Sequence, residues 1–311
     1  MGRFWKAFVL ATLAASGFGG VGIFIHFLSA QGLSPAAILM GRYLFMSLLL
    51  VPFVLQAWKE SLYYTKYGAP TNKNGTFPPV SDLRKIIALG LLGTTIQAGC
   101  YIVAVKELGP GTAAILIYIY PSLVLLWERV LFRQPIYLEH LGLMAISWCG
   151  SYLVLGSHFV HGTWLGAAAA ICSAIFYSFY LSASNHVSRN CNVWITSWCV
   201  AVGAFLGSTF TWIVWDGTFP SLSWSLLGLL FGYAVVGTII PMVAVFSAMR
   251  LIGASSTSLL CMSEPIFAVL VGVWLFQESL GPVQILGACL IMTASILLSV
   301  QKGKARAYVT T

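Results

Sequence analysis

The sequence predicts an all-α integral membrane protein of ten transmembrane helices, arranged as two inverted five-helix repeats. Three observations carry this. Hydrophobic residues make up 59% of the chain and charged residues only 8%, about a third of the charged share of a soluble domain, so lipid is the expected solvent. The apolar residues fall in stretches of about 20, the length that crosses roughly 30 Å of hydrocarbon at 1.5 Å per residue. A glycine-to-proline segment occurs twice, and an odd number of spans per copy forces the two copies to cross in opposite senses.

In the first copy, residues 1–156, the expected spans are Phe4–Leu28, Pro35–Gln56, Lys85–Val105, Gly111–Phe132 and Leu138–Leu155. The apolar run to Leu28 is longer than the core of a cleavable signal peptide. Lys6 stands where a myristoylation site needs Ser or Thr. Gly17, Gly19, Gly20 and Gly22 are small enough for close helix approach. Between the second and third spans, residues 57–84 read as a cytoplasmic loop, with Gly68, Asn74-Gly75 and Pro78-Pro79 as breakers. Asn74-Gly75-Thr76 has the form of a glycosylation acceptor, but on the cytoplasmic side it would not be used.

The second copy, residues 157–311 with a short basic C-terminal tail, has expected spans Leu165–His186, Val193–Trp215, Leu222–Met249, Ala254–Phe276 and Val283–Val300. Gly203/Gly207 and Gly228/Gly232 are further small-residue pairs at four-residue spacing. The doubled segment runs from Gly109 to Pro121 and from Gly253 to Pro265. After each proline an apolar run ends at Phe132 or Phe276, and the next span carries Gly142 or Gly287. Trp5, Trp58, Trp194, Trp215 and Trp224 lie near span ends, where indoles anchor at the interface.

The formal charge of +8 is an orientation signal rather than a nucleic-acid footprint. With a cytoplasmic N-terminus, Lys106 alone falls on the opposite side, and Arg42 and Arg129 lie within spans. All other Lys and Arg residues, from Arg3 to Arg306, are cytoplasmic, as the positive-inside rule requires. Both termini are therefore expected in the cytoplasm. No Walker loop, H-E-x-x-H motif or nucleophile elbow occurs. The seven cysteines form no C-x-x-C pair, and His158 and His161 have no Cys, Asp or Glu nearby, so neither metal nor cofactor is expected.

Glu264 lies near the middle of the ninth expected span, where a charge costs about 2.5–3.5 kcal/mol on insertion scales. Three compensations are open: a cationic partner, a substrate amine or hydroxyl, or protonation, which removes the charge. A glutamate that ties helices together by hydrogen bonds is the purely structural alternative. Pro265 and Pro121 have no N–H, so each leaves a carbonyl unclaimed and bends its helix, at depths where such carbonyls normally meet a cavity. Gln97 and Tyr101, one turn apart, with Tyr118, Tyr120 and Tyr177, supply hydroxyls and an amide among aromatic faces, a lining suited to an organic solute. Phe176 and Tyr180 lie beside Tyr177. Arg42 reads as a gating or structural residue, with a substrate carboxylate as its alternative partner. Glu128 reads as a cytoplasmic gate contact.

Ten spans, the doubled segment, Arg42 in Met-Gly-Arg-Tyr, and Leu-Phe-Gln-Glu278 followed by Gln284 and Gly287 together resemble the drug/metabolite transporter superfamily, EamA type. The resemblance covers nearly the whole chain. Phe132-Arg133-Gln134 departs from it, having no carboxylate matching Glu278. Tyr118-Ile119-Tyr120-Pro121 is similar to the cavity-lining segment of amino-acid exporters in that superfamily. The resemblance implies a secondary transporter, not an enzyme, in the bacterial inner membrane, exporting a small organic metabolite by alternating access. An amino acid or related compound is the favoured substrate, and proton coupling through Glu264 is open. Uptake or exchange of a nucleotide-derived metabolite is the alternative, and a lipid scramblase or intramembrane enzyme the remote one.

Overall fold

A computed structural model of the 311-residue chain describes residues 2–67, 78–108, 113, 116–134, 138–155, 163–188, 191–215, 223–267, 270, 274 and 281–307. The described elements are helices: α1 Gly2–Gly19, α2 Val21–Ala30, α3 Pro35–Tyr67, α4 Val80–Ala88, α5 Thr95–Leu108, α6 Tyr120–Val130, α7 Leu138–Leu155, α8 Trp164–Val187, α9 Val193–Trp215, α10 Trp224–Ala234, α11 Ile240–Ile252, α12 Ala254–Cys261 and α13 Pro282–Ala307. Wide π turns, Leu89–Thr94 and Val235–Ile239, join α4 to α5 and α10 to α11. Among the described residues six stretches are long and apolar enough to cross a bilayer: Gly2–Ala30, Pro35–Ser61, Val80–Ala104, Trp164–Val187, Val193–Trp215 and Trp224–Ile252. Gly109 to Thr112, Asn74, His158, His161 and Phe276-Gln277-Glu278 lie outside the described residues, as do the side chains of Lys106 and Gln284.

The packing is that of a protein whose solvent is hydrocarbon. Phe210, Ile213 and Val214 of α9 stand exposed, while Ser173, Ser178, Ser182 and Ser184 of α8 are fully buried. Small hydroxyl residues inside let helices approach, and some satisfy their own protons on nearby carbonyls; Ser178 Oγ donates to the Ile175 carbonyl at 2.8 Å.

By mutual contact the chain divides into two compact units, and each draws on both the 1–156 and 157–311 halves. The first comprises Met1–Gly20, Ile96–Ser182 and Ser247–Thr311. Within it α7 lies along α13, and α12 packs on α6 and α1. A Cβ on Gly150 would stand 2.7 Å from both the Gly287 carbonyl and the Ile291 side chain, so glycine sets that crossing. Ala104, Leu108, Ala113 and Ala170 form a small buried cluster beneath Tyr101.

The second unit comprises Val21–Thr95 and Ala183–Phe246. Here α9 packs against α3, α4 and the Leu89–Thr94 turn, and α10 against α2 and α3. Leu28, Leu33, Ala37, Ile38, Leu226, Leu230 and Tyr233 make its core. Gly90 approaches the Val200 backbone, where an added Cβ would lie 2.5 Å from the carbonyl oxygen.

Three sequence expectations need correction. The loop expected at 57–84 is narrower, because α3 continues to Tyr67 and α4 begins at Val80. Ala57, Lys59 and Glu60 are good helix formers, Gln56 donates to Glu60 at 3.0 Å, and the breakers begin only at Gly68. The first expected span is present as the single apolar stretch Gly2–Ala30, with one turn residue, Gly20, between α1 and α2. The glycines near it do not all mark a helix crossing, since a Cβ on Gly22 would meet nothing within 4 Å. Gly228 likewise faces open space, so Gly228/Gly232 is not a backbone crossing, whereas Gly203/Gly207 is.

Gly253, before α12, adopts φ 83° and ψ 166°, a region open essentially to glycine alone. A Cβ there would meet no atom within 4 Å, so the penalty of substitution is backbone strain only. Gly253→Ala is expected to destabilise the protein by about 1–3 kcal/mol. Thermal unfolding of the detergent-solubilised protein checks this, and an unchanged midpoint would contradict it.

Candidate functional site: a carboxylate among tyrosines

The site is built on two broken helices. In α12 the hydroxyls of Thr257 and Ser258 donate back to the carbonyls of Gly253 at 2.8 Å and Ser255 at 2.9 Å. Such back-bonding loosens a helix. Pro265 then supplies no N–H to the Cys261 carbonyl, and α12 ends in a turn at Met262-Ser263. Glu264 opens the next helical turn. The same geometry precedes α6, where Tyr118-Ile119 is a turn ahead of Tyr120-Pro121. The hydrogen bonds match position for position. Ile119 N–H donates to Leu116 at 3.3 Å and Ser122 N–H to Ile119 at 3.1 Å; Ser263 N–H donates to Leu260 at 3.2 Å and Ile266 N–H to Ser263 at 3.1 Å. Tyr120 thus occupies in one copy of the doubled segment the place that Glu264 occupies in the other.

Both breaks lie in the first unit and touch. The Tyr120 hydroxyl donates to the Ser258 carbonyl at 3.4 Å, and Trp148 Nε1 donates to the Tyr118 carbonyl at 3.0 Å, holding the turn before α6. Tyr177 of α8 meets the Tyr120 ring edge-on, with centroids 4.8 Å apart, and stacks on Tyr180 at 6.4 Å. The Tyr118 and Tyr120 rings are 6.5 Å apart. The Glu264 carboxylate lies within electrostatic range of the hydroxyls of Tyr101, Tyr118 and Tyr120.

Glu264 is only half-buried, whereas Tyr118 and Tyr120 are buried. Among the described residues its carboxylate has neither a hydrogen-bond nor an ion-pair partner. The structure therefore brings Glu264, Tyr101, Tyr118 and Tyr120 together, with Tyr177 attached through Tyr120. Gln97 stands one turn from Tyr101 and is bound to α8: the Ser173 hydroxyl donates to the Gln97 carbonyl at 2.9 Å, and Gln97 Nε2 reaches Ser173 Oγ at 3.5 Å.

Glu128 and Arg42 have partners of their own. Glu128 is buried, and its Oε1 accepts from Ser182 Oγ at 2.6 Å, while Trp127 Nε1 donates to Ser178 Oγ at 3.1 Å. These two bonds tie α6 to α8. Arg42 belongs to the second unit, where its Nη1 donates to the Tyr233 hydroxyl at 2.6 Å and its Nη2 to the Tyr43 hydroxyl at 2.5 Å. Its guanidinium also lies over both rings, 4.4 Å from the Tyr43 centroid and 5.1 Å from that of Tyr233. Its partners here are tyrosine hydroxyls and ring faces within the second unit.

Sequence reasoning missed Tyr43, Tyr233, Ser173, Ser182 and Ser258. Tyr43 was adjacent to Arg42 and could have been found. Tyr233 had no local signal, being 191 residues away. The π turn that follows it is part of its setting: Thr238 Oγ1 donates to the Tyr233 carbonyl at 3.1 Å, and a Cβ on Gly237 would stand 2.7 Å from the Tyr233 ring. Among the described residues no group of three or more His, Cys, Asp or Glu is placed to hold a metal.

Comparison with known proteins adds the family. The EamA-like transporter family matches residues 5–156 and again 164–300. The "Uncharacterized inner membrane transporter YicL" of Salmonella typhimurium is 23% identical over 99% of this chain and 100% of its own length. The "Uncharacterized transporter YcbK" of Bacillus subtilis is 23% identical over 87% of this chain and 85% of its own. A solved crystal structure shares the fold with a TM-score of 0.69, covering 96% of this chain and 98% of that one at 17% identity. With family matches spanning nearly its full length, and apolar helices long enough to cross a bilayer, the chain belongs to the EamA-like transporter family of the drug/metabolite transporter superfamily and is an integral membrane transporter.

Proposed function

We propose that this protein is a secondary carrier that exports a small organic metabolite bearing an amino group, amino acids and related compounds among them, across the bacterial inner membrane by alternating access. In this reading ten helices form two five-helix copies of opposite sense, and cargo meets Glu264 and the tyrosines around it. The observation that carries it is the Glu264 carboxylate, partly accessible and without a partner among the described residues, beside two helices broken at equivalent prolines. Unwound backbone next to a charged side chain is how carriers of this kind hold their substrates. The double match to one family supports the duplication. A carboxylate that alternately holds cargo and a proton would also couple transport to the proton gradient.

A thermal-shift screen of the purified protein against amino acids, nucleosides and sugars selects a responding compound, whose efflux from proteoliposomes is then followed across pH. Glu264→Gln is expected to lower the efflux rate at least about tenfold and flatten its pH profile, the loss of a group acting in the translocation step. Unchanged rates across pH in a variant that inserts normally would remove Glu264 from the mechanism.

A further inference from the structure

We infer that the site prefers net-cationic organic amines over zwitterions, so that a decarboxylated or amidated amine is a better substrate than the free amino acid. This rests on the reading of Glu264 as the substrate contact and names the class that contact selects. The argument is one of charge and donor balance. The first unit offers the Glu264 carboxylate without a partner among the described residues, the Cys261 carbonyl that Pro265 leaves unclaimed one turn before it, and, at the matching break, the Ile117 carbonyl that Pro121 leaves unclaimed. All three are acceptors. An ammonium supplies donors for them, and the rings of Tyr101, Tyr118 and Tyr120 offer faces that attract a cation.

A substrate carboxylate would find no such complement. The sequence has no Lys or Arg in 107–128, 134–188 or 251–301, the stretches that form α7, α8 and α12 and most of α6 and α13; Arg3 and Lys6 of the first unit stand at the start of α1, and Arg250, near the end of α11, is already engaged. Arg129 and Arg133 are exposed at the end of α6. Arg42 belongs to the other unit and is already hydrogen-bonded to two tyrosines there. Lys106 is the single basic residue between Lys85 and Arg129. A zwitterion must therefore place its carboxylate near Glu264 without an established counter-ion, and desolvating an unpaired anion is the kind of penalty that separates close analogues.

The experiment compares pairs differing only in that group: tyramine with tyrosine, and phenylalanine amide with phenylalanine. Each is measured for binding to the wild-type protein by titration calorimetry and for efflux from proteoliposomes, then in Glu264→Gln, Glu264→Asp and Lys106→Gln. The expected result is affinity about tenfold or more higher for the amine or amide, lost in Glu264→Gln, partly kept in Glu264→Asp and unaffected by Lys106→Gln. Equal or tighter binding of the amino acids that still depends on Glu264 would overturn the preference while leaving the carrier reading standing. Dependence of amino-acid binding on Lys106 would identify the missing counter-ion and also overturn it. Binding and efflux indifferent to Glu264 would overturn both, and so would the absence of binding by either member of each pair.

Discussion

Gly203→Leu is expected to yield little or no folded protein, and Gly203→Ala to lower the thermal midpoint clearly. A Cβ at this position would collide with the Ile87 carbonyl oxygen and stand 2.7 Å from the Leu91 nitrogen, both backbone atoms of the helix facing α9. Side chains can change rotamer, but a backbone can yield only by moving the whole helix. The contact is reciprocal, because Gly90 on that facing helix would place a Cβ 2.9 Å from Val200 Cα. Overpacking typically costs about 1–3 kcal/mol; at a backbone crossing braced on both sides the upper end is expected for alanine and more for leucine. Gly228→Ala and Gly142→Ala are the controls, since a Cβ at either meets nothing within 4 Å. Fluorescence-detected size exclusion after a temperature ramp ranks all four. Equal midpoints for Gly203→Ala and Gly228→Ala would contradict the crossing.

That contrast shows what a linear pattern can hold. Gly203/Gly207 and Gly228/Gly232 have the same spacing, and nothing in their neighbours separates a crossing from an open face. Hydropathy, by contrast, is summed over a whole turn of lipid contact, which is why Leu138–Leu155 and Val193–Trp215 are helices with the bounds read from sequence. Breaks were legible where proline imposed them, at Pro121 and Pro265, and illegible at the Leu89–Thr94 turn, which no proline marks. Of the site, residues on the two broken helices and on α5 were legible because a charge or hydroxyl in an apolar run has few reasons to be there. Their serine neighbours were not, since a serine inside a membrane helix can always bond to its own backbone.

The second large effect is expected at Arg42. Tyr233→Phe removes one of the two hydroxyls that accept from the guanidinium and leaves a charged donor short of a partner, at a cost of about 1.5–3 kcal/mol. Arg42→Met removes the charge itself, after which adding Tyr233→Phe should cost little more. The double-variant loss is therefore expected to fall well below the sum of the single losses, as for residues joined in one network. Arg42→Lys should rescue poorly, since a single ammonium cannot present two separated donors to Tyr43 and Tyr233 as the planar fork does. Thermal unfolding of the four variants measures the coupling. Additive losses would show that Arg42 and Tyr233 stabilise the second unit independently.

The interleaving of the two compact units bears on how the protein is made. A chain emerging from its N-terminus cannot finish the second unit until Phe246 is synthesised, nor the first until α13 has been added. Early helices must therefore wait in the bilayer beside lipid or an insertion factor, with their glycine faces and buried serines still uncovered. Severing the chain between α7 and α8 would give two fragments that each hold parts of both units, so neither should become protease-resistant until the other is co-expressed.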